Sequence, residues 1–402
     1  MDNDILAGVR VLDFTTIVSG PYCTRLLADL GAEVFKIEPP EGDFIRIQPP
    51  LRSGKSAYFA SLNCGKKSLA IDLRQAEAQQ LMRALAAKCD VVVENYRPGV
   101  MARLGLDYPT FEKLNPRIVY CSISGFGQTG PWAKRSAYAP MLHAASGFDL
   151  VNLGYQNGLE RPLNTGIMVG DVLGGTYAFG AIQTALLGRE RTGRGDYIDL
   201  AMMDGMLSMP TYEFQEAQFP QPRKVNTFQP TRAKDGFIMI AAVKPNNFAA
   251  LWKAIGHPEY ASDPRFGTAK GRGENWSAMM SMLDDWASNK SAAECEAILT
   301  EGDVPCARYS TMRETLQQPH LAEHGSFEII DDGAGPLKVP NSAFKLKNSN
   351  VRARNYVPVL GADSAAVLAD VLGYSKERVA ALYDRRILHG ARASSAGGPS
   401  DG

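Results

Sequence analysis

The chain has 402 residues, 45% of them hydrophobic, which is enough to bury a sizeable core in two or three domains. Lys plus Arg and Asp plus Glu both number 43, and this balance excludes proteins that bind nucleic acid or an anionic membrane through a global positive field. A polyanionic ligand must be held by a local cluster of charges.

The cysteines and the start of the chain indicate a cytoplasmic protein without a membrane span. The start MDND lacks the basic region of a signal peptide, and the longest uncharged run, residues 172–188, is short and glycine-rich for a membrane helix. The scattered cysteines form no C-x-x-C pair, which is typical of a reducing compartment. We interpret all six as small core residues: Cys23, Cys64, Cys89, Cys121, Cys295 and Cys306.

The first half of the chain alternates short apolar strands with helices. Strands are predicted at about residues 9–14, 32–37, 90–94 and 117–123, and helices at about 22–30, 75–88 and 100–104. Strands separated by helical lengths predict an α/β fold with a parallel, doubly wound, Rossmann-like sheet. Ligands of such sheets bind beyond the carboxyl ends of the strands.

Polar and aromatic residues follow three of these strands and could bind a phosphorylated ligand. They are Ile17 to Gly20 after the first strand, Lys36 and Glu38 after the second, and Asn95, Tyr96 and Arg97 after the third, with Arg103 one short helix away. Backbone amides, an aromatic face and arginines suit an adenine ring and phosphates. The alternative interpretation is that these arginines are ordinary solvated surface residues.

A helix that begins at Asp171 is the feature around which the rest is organised. Asp171 is an N-cap type of residue, and Gly188 is placed to end the helix in a left-handed conformation. Gly174, Gly175 and Gly180 disfavour a solvent helix and predict close approach of another backbone or a ligand. A turn over residues 189–195 and a strand over 197–200 should follow.

Asp171 has two possible roles. Free N–H groups and the macrodipole at a helix N-terminus keep a carboxylate ionised, and an ionised carboxylate is both a cap and a nucleophile. Spacing alone favours the cap. However, the run GDVLGGTYAFGAIQTALLGRERTGRGDYIDLAMMDGML closely resembles the helix, turn and strand around the nucleophilic aspartate of family III CoA-transferases. That family includes formyl-CoA:oxalate and carnitine CoA-transferases and α-methylacyl-CoA racemases.

The resemblance covers about residues 6–388, with blocks such as GVRVLDFTTIVSGPYCTRLLADLGAEVFKIEPPEGD, VVVENYRPGVMARLGL, SISGFGQTGP and PVLGADSAAVLADVLGY in family order. It implies that CoA moves from an acyl-CoA donor to a carboxylic acid acceptor through an acyl-aspartyl anhydride and an aspartyl-CoA thioester at Asp171. Backbone amides near residues 170–173 are candidate oxyanion donors. CoA enters as a thioester substrate, and no metal or permanently bound cofactor is expected.

The resemblance also implies a CoA site. The residues of this chain that match the CoA-lining positions of the family are Val18, Ser19, Ser61, Leu62, Asn95, Tyr96, Arg97, Arg103, Arg135, Ser136, Ala137 and Tyr138. Pro39 is a departure, because some members place an arginine there.

Changes in composition predict the domain boundaries, and the family resemblance implies that the C-terminal helices pack back on the first domain, which makes that domain discontinuous. Residues 1–210 and 330–390 should form one discontinuous CoA-binding and catalytic domain, 211–224 a linker, 225–325 a smaller α+β domain, and 391–402 a disordered tail. In the small domain, Ser291 and Glu294 form a capping box. Family members are interlocked homodimers, so the resemblance implies the same partner here.

Three functions other than CoA transfer are compatible with parts of the sequence. The family's racemases carry a proton-transferring histidine where this chain has Tyr138, whose ordinary pKa of about 10 makes it a poor base. Residues 125–130 fit the G-x-G-x-x-G fingerprint of NAD(P)-dependent oxidoreductases, but Pro131 and Trp132 follow at once where a helix should begin. A catalytically dead CoA-binding protein is the third alternative.

Two further local features are given structural interpretations. The P-loop-like residues 53–56 are interpreted as a loop, and His143 is interpreted as a packing residue.

Overall fold

The computed structural model describes residues 4–156, 158–220 and 227–391. The chain divides into two compact units. One contains the chain up to Ala217 and from Glu323 onwards, and the other is Gln218–Ala322.

The first unit begins with alternating strands and helices. The strands are β1 (Arg10–Asp13), β2 (Glu33–Glu38), β3 (Leu51–Arg52), β4 (Lys55–Ser56), β5 (Lys66–Ile71), β6 (Val91–Glu94), β7 (Val119–Ser124) and β8 (Tyr197–Ala201). The helices are α1 (Ser19–Asp29), α2 (Ala57–Asn63), α3 (Ala76–Ala86), α4 (Val100–Leu104), α5 (Tyr108–Leu114), α6 (Ala139–Ala145), α7 (Phe148–Gly154), α8 (Val169–Thr192), α9 (Met202–Leu207) and α10 (Thr211–Glu216), with a 3-10 turn at Phe44–Ile47.

The second unit packs helices around a small antiparallel sheet. Its strands are β9 (Thr231–Arg232), β10 (Phe237–Ile240) and β11 (Cys306–Arg308), with β10 in the middle. Its helices are α11 (Pro245–Ala254), α12 (Ala269–Glu274), α13 (Trp276–Ala287), α14 (Ala292–Glu301) and α15 (Met312–Thr315), with a 3-10 turn at Pro258–Ala261, and α16 (Pro319–Glu323) ends at the boundary. Trp252 is wholly buried in its core. The predicted capping box of Ser291 and Glu294 is confirmed at the start of α14.

The chain then returns to the first unit. A hairpin of β12 (Phe327–Asp331) and β13 (Pro336–Pro340) is followed by α17 (Ser364–Leu372), α18 (Lys376–Asp384) and β14 (Leu388–His389). Val367 and Leu368 of α17 are buried against Phe35 and Leu69 of the sheet. β14 pairs antiparallel with β5.

The main sheet has the order β14-β5-β2-β1-β6-β7-β8, and the pairings from β5 to β8 are parallel. The chain winds outward from β1 through β2 to β5 and then from β6 to β8, so the order reverses between β1 and β6. This confirms the predicted doubly wound α/β class, with helices on both faces. α1 and α8 cover one face, while α3, α5 and α17 cover the other.

Several local features differ from the sequence-based predictions. The predicted linker 211–224 contains helix α10, and its last four residues lie outside the described ranges. Residues 53–56 form the turn and second strand of a hairpin. Cys306 is half-buried rather than a core residue, although the other five cysteines are buried. The predicted tail lies outside the described residues except for Ala391.

Candidate active site

Asp171 lies in the first turn of α8, three residues after the N-cap position. The helix begins at Val169, with Met168 as its cap, so Asp171 is its third residue and the predicted N-cap assignment is wrong. The predicted end at Gly188 is also wrong. The helix continues to Thr192 and ends at Gly193, which has φ 71°, because buried Arg189 within it donates to Asp90 Oδ1 at 3.0 Å.

The glycines of α8 let two neighbours approach closely. A Cβ at Gly175 would lie 2.5 Å from the carbonyl oxygen of Ser19, and one at Gly174 would lie 2.7 Å from the Cγ of Met202. The prediction of a close backbone approach is therefore confirmed for Gly175. At Gly180 a Cβ would meet no described atom of this chain within 4 Å. The contact at Gly175 brings the start of α1 to the start of α8.

The carboxylate of Asp171 is half-buried and lies near two backbone N–H groups. Burial raises the pKa of Asp171 to about 6, while the N–H groups of Ser19 and Ala139 act in the opposite direction by stabilising the ionised form. A position at a helix N-terminus predicts only an ionised carboxylate, and the sequence carries no local sign of the burial that raises the pKa of Asp171. The group is still largely ionised at pH 7, so it can act as a nucleophile.

His143 packs directly beside this helix terminus. It is buried, its ring centroid is 5.5 Å from that of Phe148, and its Nε2 accepts a hydrogen bond of 3.3 Å from the N–H of Gly170. Acceptance requires an unprotonated Nε2, which agrees with a pKa of His143 lowered by burial. The predicted packing role is confirmed. Because Gly170 donates to His143 and Val172 donates to Met168, neither N–H is free to serve as an oxyanion donor.

The predicted residues after β1 and β6 are brought together. Val18 and Ser19 are buried at the start of α1. Asn95 lies beside them, and its side chain bonds both backbone groups of Thr16 and the hydroxyl of Ser19. This cluster lies at the carboxyl edge of the sheet, where the strand order reverses, as expected for a ligand site.

Ser61 and Leu62 lie on α2. Leu62 is buried in a small apolar cluster with Val18, Ile45 and Phe59. The carbonyl of Ser61 accepts a hydrogen bond of 3.4 Å from the Arg25 side chain of α1. α2 therefore lines the same edge of the sheet as the residues after β1.

Tyr96, Arg97 and Arg103 differ in exposure. Tyr96 is partly buried against the sheet core, and burial raises its pKa, whereas Arg97 and Arg103 are exposed. Arg97 also lines a cavity of about 360 Å³ that lies over β7 and β8. The two guanidinium groups are accessible to an anionic ligand.

The segment 135–138 leads into α6 beside Asp171. The Arg135 guanidinium lies 4.4 Å from the ring centre of Trp132. Ser136 and Tyr138 are exposed, and Ala137 is half-buried against Gly125. Tyr138 directly precedes Ala139, whose N–H lies near the Asp171 carboxylate.

Lys36 and Glu38, which sequence placed among the ligand-facing residues after β2, are buried. Lys36 pairs with Asp43 at 2.9 Å, and Glu38 pairs with Arg46 at 2.7 Å. Their interpretation as part of the ligand cluster is wrong, because both charges are neutralised within the protein.

Sequence reasoning also missed residues that surround Asp171. Tyr58 lies near enough for burial and the charge of Asp171 to raise its pKa. No local motif around Tyr58 or Ala139 marks either residue, because only the tertiary fold brings them to α8.

Neither a metal cluster nor a membrane helix was found in the part of the chain that the structure describes. No group of three or more His, Cys, Asp and Glu residues there is arranged to hold a metal ion. No helix within the described ranges combines the length and apolar character needed to cross a bilayer.

Comparisons with known proteins agree with this architecture. The profile of CoA-transferase family III matches residues 6–364. Succinyl-CoA–D-citramalate CoA-transferase from Chloroflexus aurantiacus is 32% identical over 95% of this chain and 98% of its own. Acetyl-CoA:oxalate CoA-transferase from Acetobacter aceti is 35% identical over 90% of this chain and 94% of its own. A crystal structure of a CaiB/BaiF family protein from Brucella suis has a TM-score of 0.81 and 31% identity, covering 92% of this chain and 100% of that one.

The match to the profile, the full-length relatives and the half-buried carboxylate that the fold places at the start of α8 lead to one conclusion: the chain belongs to CoA-transferase family III and is an enzyme of acyl-CoA metabolism.

Proposed function

We propose that the enzyme transfers CoA from an acyl-CoA thioester to a free carboxylic acid with Asp171 as the nucleophile. The observation that carries this proposal is a half-buried carboxylate at the start of α8, faced by the N–H groups of Ser19 and Ala139. Partial desolvation makes a carboxylate more reactive than one in water, while the two donors hold its orientation.

The proposed reaction has four steps, each of which breaks one bond to an acyl carbon as it forms another. An Asp171 oxygen attacks the thioester carbonyl, and the C–S bond breaks to give an acyl-aspartyl anhydride and CoA thiolate. The thiolate attacks the aspartyl carbonyl and releases the donor acid as a carboxylate, leaving an aspartyl-CoA thioester. The acceptor carboxylate then expels CoA thiolate to form a second anhydride. Attack of the thiolate on the acceptor carbonyl gives the new acyl-CoA and frees Asp171.

The same backbone donors serve the charged intermediates. Each tetrahedral intermediate formed at the aspartyl carbon carries an oxyanion, and donors already oriented toward that carboxyl group stabilise it without reorganisation. Ser19 and Ala139 come from two different elements, α1 and α6, so the fold rather than a flexible loop sets their spacing.

The proposed CoA site follows the carboxyl edge of the sheet. The exposed guanidinium groups of Arg97, Arg103 and Arg135 are suited to the phosphates of CoA, since arginine binds phosphate through paired donors. The remaining proposed contacts are Val18, Ser19, Ser61, Leu62, Asn95, Tyr96, Ser136, Ala137 and Tyr138. Donors and acceptors should be sought first among dicarboxylic acids, because oxalate and citramalate are named for the relatives above.

Trapping of the covalent intermediate tests this mechanism. The enzyme is incubated with an acyl-CoA donor and no acceptor, hydroxylamine is added, and peptides are analysed by mass spectrometry. We expect a hydroxamate on the peptide that contains Asp171, because hydroxylamine attacks both the anhydride and the thioester. Modification confined to a cysteine peptide would contradict the proposal.

The pH dependence of turnover reports the pKa of the nucleophile. The carboxylate reacts only when ionised, so turnover should fall as the pH drops through about 6, by about tenfold per unit below it. It should reach a plateau above this value. The measurement is kcat/KM for the acyl-CoA between pH 4 and 9, with enzyme stability checked at each pH. An acidic limb centred near 4 would show that burial does not raise the pKa of Asp171.

We further propose that the protein is a cytoplasmic interlocked homodimer, as the family resemblance implies. Exposed apolar side chains on or beside α7 and α8, such as Leu150, Ile167 and Leu187, are consistent with contact to a second chain. Interlocked chains cannot separate without unfolding. Two differently tagged preparations should therefore form no mixed dimer when they are combined under native conditions, and rapid mixing would disprove the interlocking.

A further inference from the structure

The turn of residues 15–19 after β1, here called the β1 turn, has its backbone groups held by side chains from elsewhere in the fold. Asp13 Oδ1 accepts from the N–H of Thr15 at 2.9 Å. Asn95 accepts from the N–H of Thr16 at 2.9 Å and donates to its carbonyl at 2.8 Å. The turn is therefore fixed from the β6 side of the sheet as well as from its own strand.

A buried ion pair holds the other side of the β1 turn. The Lys36 ammonium donates to the carbonyl of Thr15 and to Asp43 Oδ2, both at 2.9 Å. The Asp43 carboxylate accepts from the N–H of Ile17, at 3.3 Å from each oxygen, and from the N–H of Ile45 at 3.2 Å. Both charged side chains are 0% exposed. The pair thus contacts backbone at three points rather than solvent.

Ile17 adopts a conformation that its side chain disfavours. Its φ is 69°, in the left-handed region, where a β-branched residue is rare. Such a residue persists only when its surroundings hold it in place, and backbone strain of this kind concentrates at functional sites. Two residues later, the N–H of Ser19 lies near the Asp171 carboxylate, and the Ser19 carbonyl oxygen packs against Gly175 of α8.

We propose that the Lys36–Asp43 pair is a positioning device for CoA transfer, because it holds Ile17 in its left-handed conformation and so directs the Ser19 N–H at Asp171. The inference rests on the proposed function, since it takes Asp171 as the nucleophile. Stability is a weak explanation for the pair, because apolar residues of similar volume often replace a buried ion pair without loss. Directed hydrogen bonds to the β1 turn are what apolar residues cannot supply.

The test compares two double variants of the full-length enzyme. Lys36→Met/Asp43→Asn removes both charges together, so that no single ion is left buried. We expect kcat to fall by about 10- to 100-fold through misplacement of Ser19, while KM for the acyl-CoA and the unfolding temperature change little. Deuterium exchange at the amides of Ile17 and Ser19 should become faster in the free enzyme.

Ile17→Gly provides the rescue. Glycine enters the left-handed conformation without steric cost, so adding Ile17→Gly to the double variant should restore part of the lost kcat. A purely structural role of the Lys36–Asp43 pair predicts no such recovery.

The matched control is Arg25→Met/Asp29→Asn. This pair is 2.8 Å apart and also buried, with exposed fractions of 3% and 0%, but it lies in α1 away from the β1 turn. Its loss should leave kcat near the wild-type value whatever its effect on the unfolding temperature, and Ile17→Gly should not change that result.

Three outcomes would overturn the proposal: wild-type kcat in the folded Lys36→Met/Asp43→Asn variant, an equal kcat loss in the control, or no recovery with Ile17→Gly. If that variant does not fold, Lys36→Gln/Asp43→Asn also removes both charges but keeps a donor and an acceptor at these positions, and it should show a smaller loss, relieved in the same way. Amide exchange does not depend on the nucleophile. The Lys36→Met/Asp43→Asn variant could show faster amide exchange and slower turnover while Asp171→Asn stays active. That combination would refute the proposed function but not the positioning role of the Lys36–Asp43 pair.

Discussion

Asp171→Asn should lower CoA transfer by about 10⁴-fold or more, because the amide has nearly the same shape but no nucleophilic oxygen anion. The variant should still bind CoA, since the exposed arginines and the β1 turn are unchanged. Turnover is measured by mass spectrometry of acyl-CoA products, and CoA binding by calorimetry. The fall should appear in kcat rather than in the dissociation constant.

Asp204→Asn is the control for this experiment. Asp204 is also an acidic residue in the first turn of a helix, but it is exposed on α9. Its replacement should leave turnover close to the wild-type value. If Asp171→Asn and Asp204→Asn had similar activities, covalent catalysis at Asp171 would be wrong.

Gly175→Val should destabilise the first unit by about 3 kcal/mol or more, at the upper end of the usual cost of overpacking. The added Cβ would lie 2.5 Å from the Ser19 carbonyl oxygen and 3.0 Å from a ring carbon of Tyr22. The closest of these neighbours is backbone and cannot rotate away, so α1 and α8 must separate. Because Ser19 lies beside Asp171, turnover should fall with stability. Urea unfolding followed by circular dichroism and kcat measured on the folded fraction report the two effects.

Gly180→Ala tests the same helix where there is space. A Cβ there would meet no described atom within 4 Å, and alanine favours a helix by about 1 kcal/mol relative to glycine. This variant should be as stable as the wild type or slightly more so, with unchanged turnover. Equal destabilisation by both substitutions would show that loss of glycine flexibility, rather than the α1–α8 contact, is responsible.

The order of strands and helices in the first half could be predicted because hydrophobic periodicity and punctuation are local. Helix α4 matches its predicted bounds of 100–104, and the predicted strand at 90–94 differs from β6 by one residue. The end of α8 could not be predicted, since Gly188 is a good local stop. Arg189 overrides it by pairing with Asp90, which is 99 residues away in sequence.

Part of the candidate site could also be predicted, because it carries local sequence signals. Asp171 stands out through its local context and its family resemblance, and the edge of the sheet follows from the parallel order. The N–H groups that face Asp171 could not be inferred, because backbone donors carry no sequence signature. Lys36 and Asp43 were equally hidden, since a charged residue after a strand has the same pattern whether it binds a ligand or a buried partner.

The pairing of β14 with β5 has a consequence for synthesis of the chain. The edge of β5 at Ala70 and Ile71 gains its partner only when residues 388–389 have been made. Gln218–Ala322 forms its own compact unit and is complete on the ribosome well before that point. The second unit therefore can fold while the first still has an open β-strand edge, a surface on which nascent chains can pair wrongly. Synthesis of residues 388–389, rather than emergence of Asp171, is the event that lets the β5 edge close.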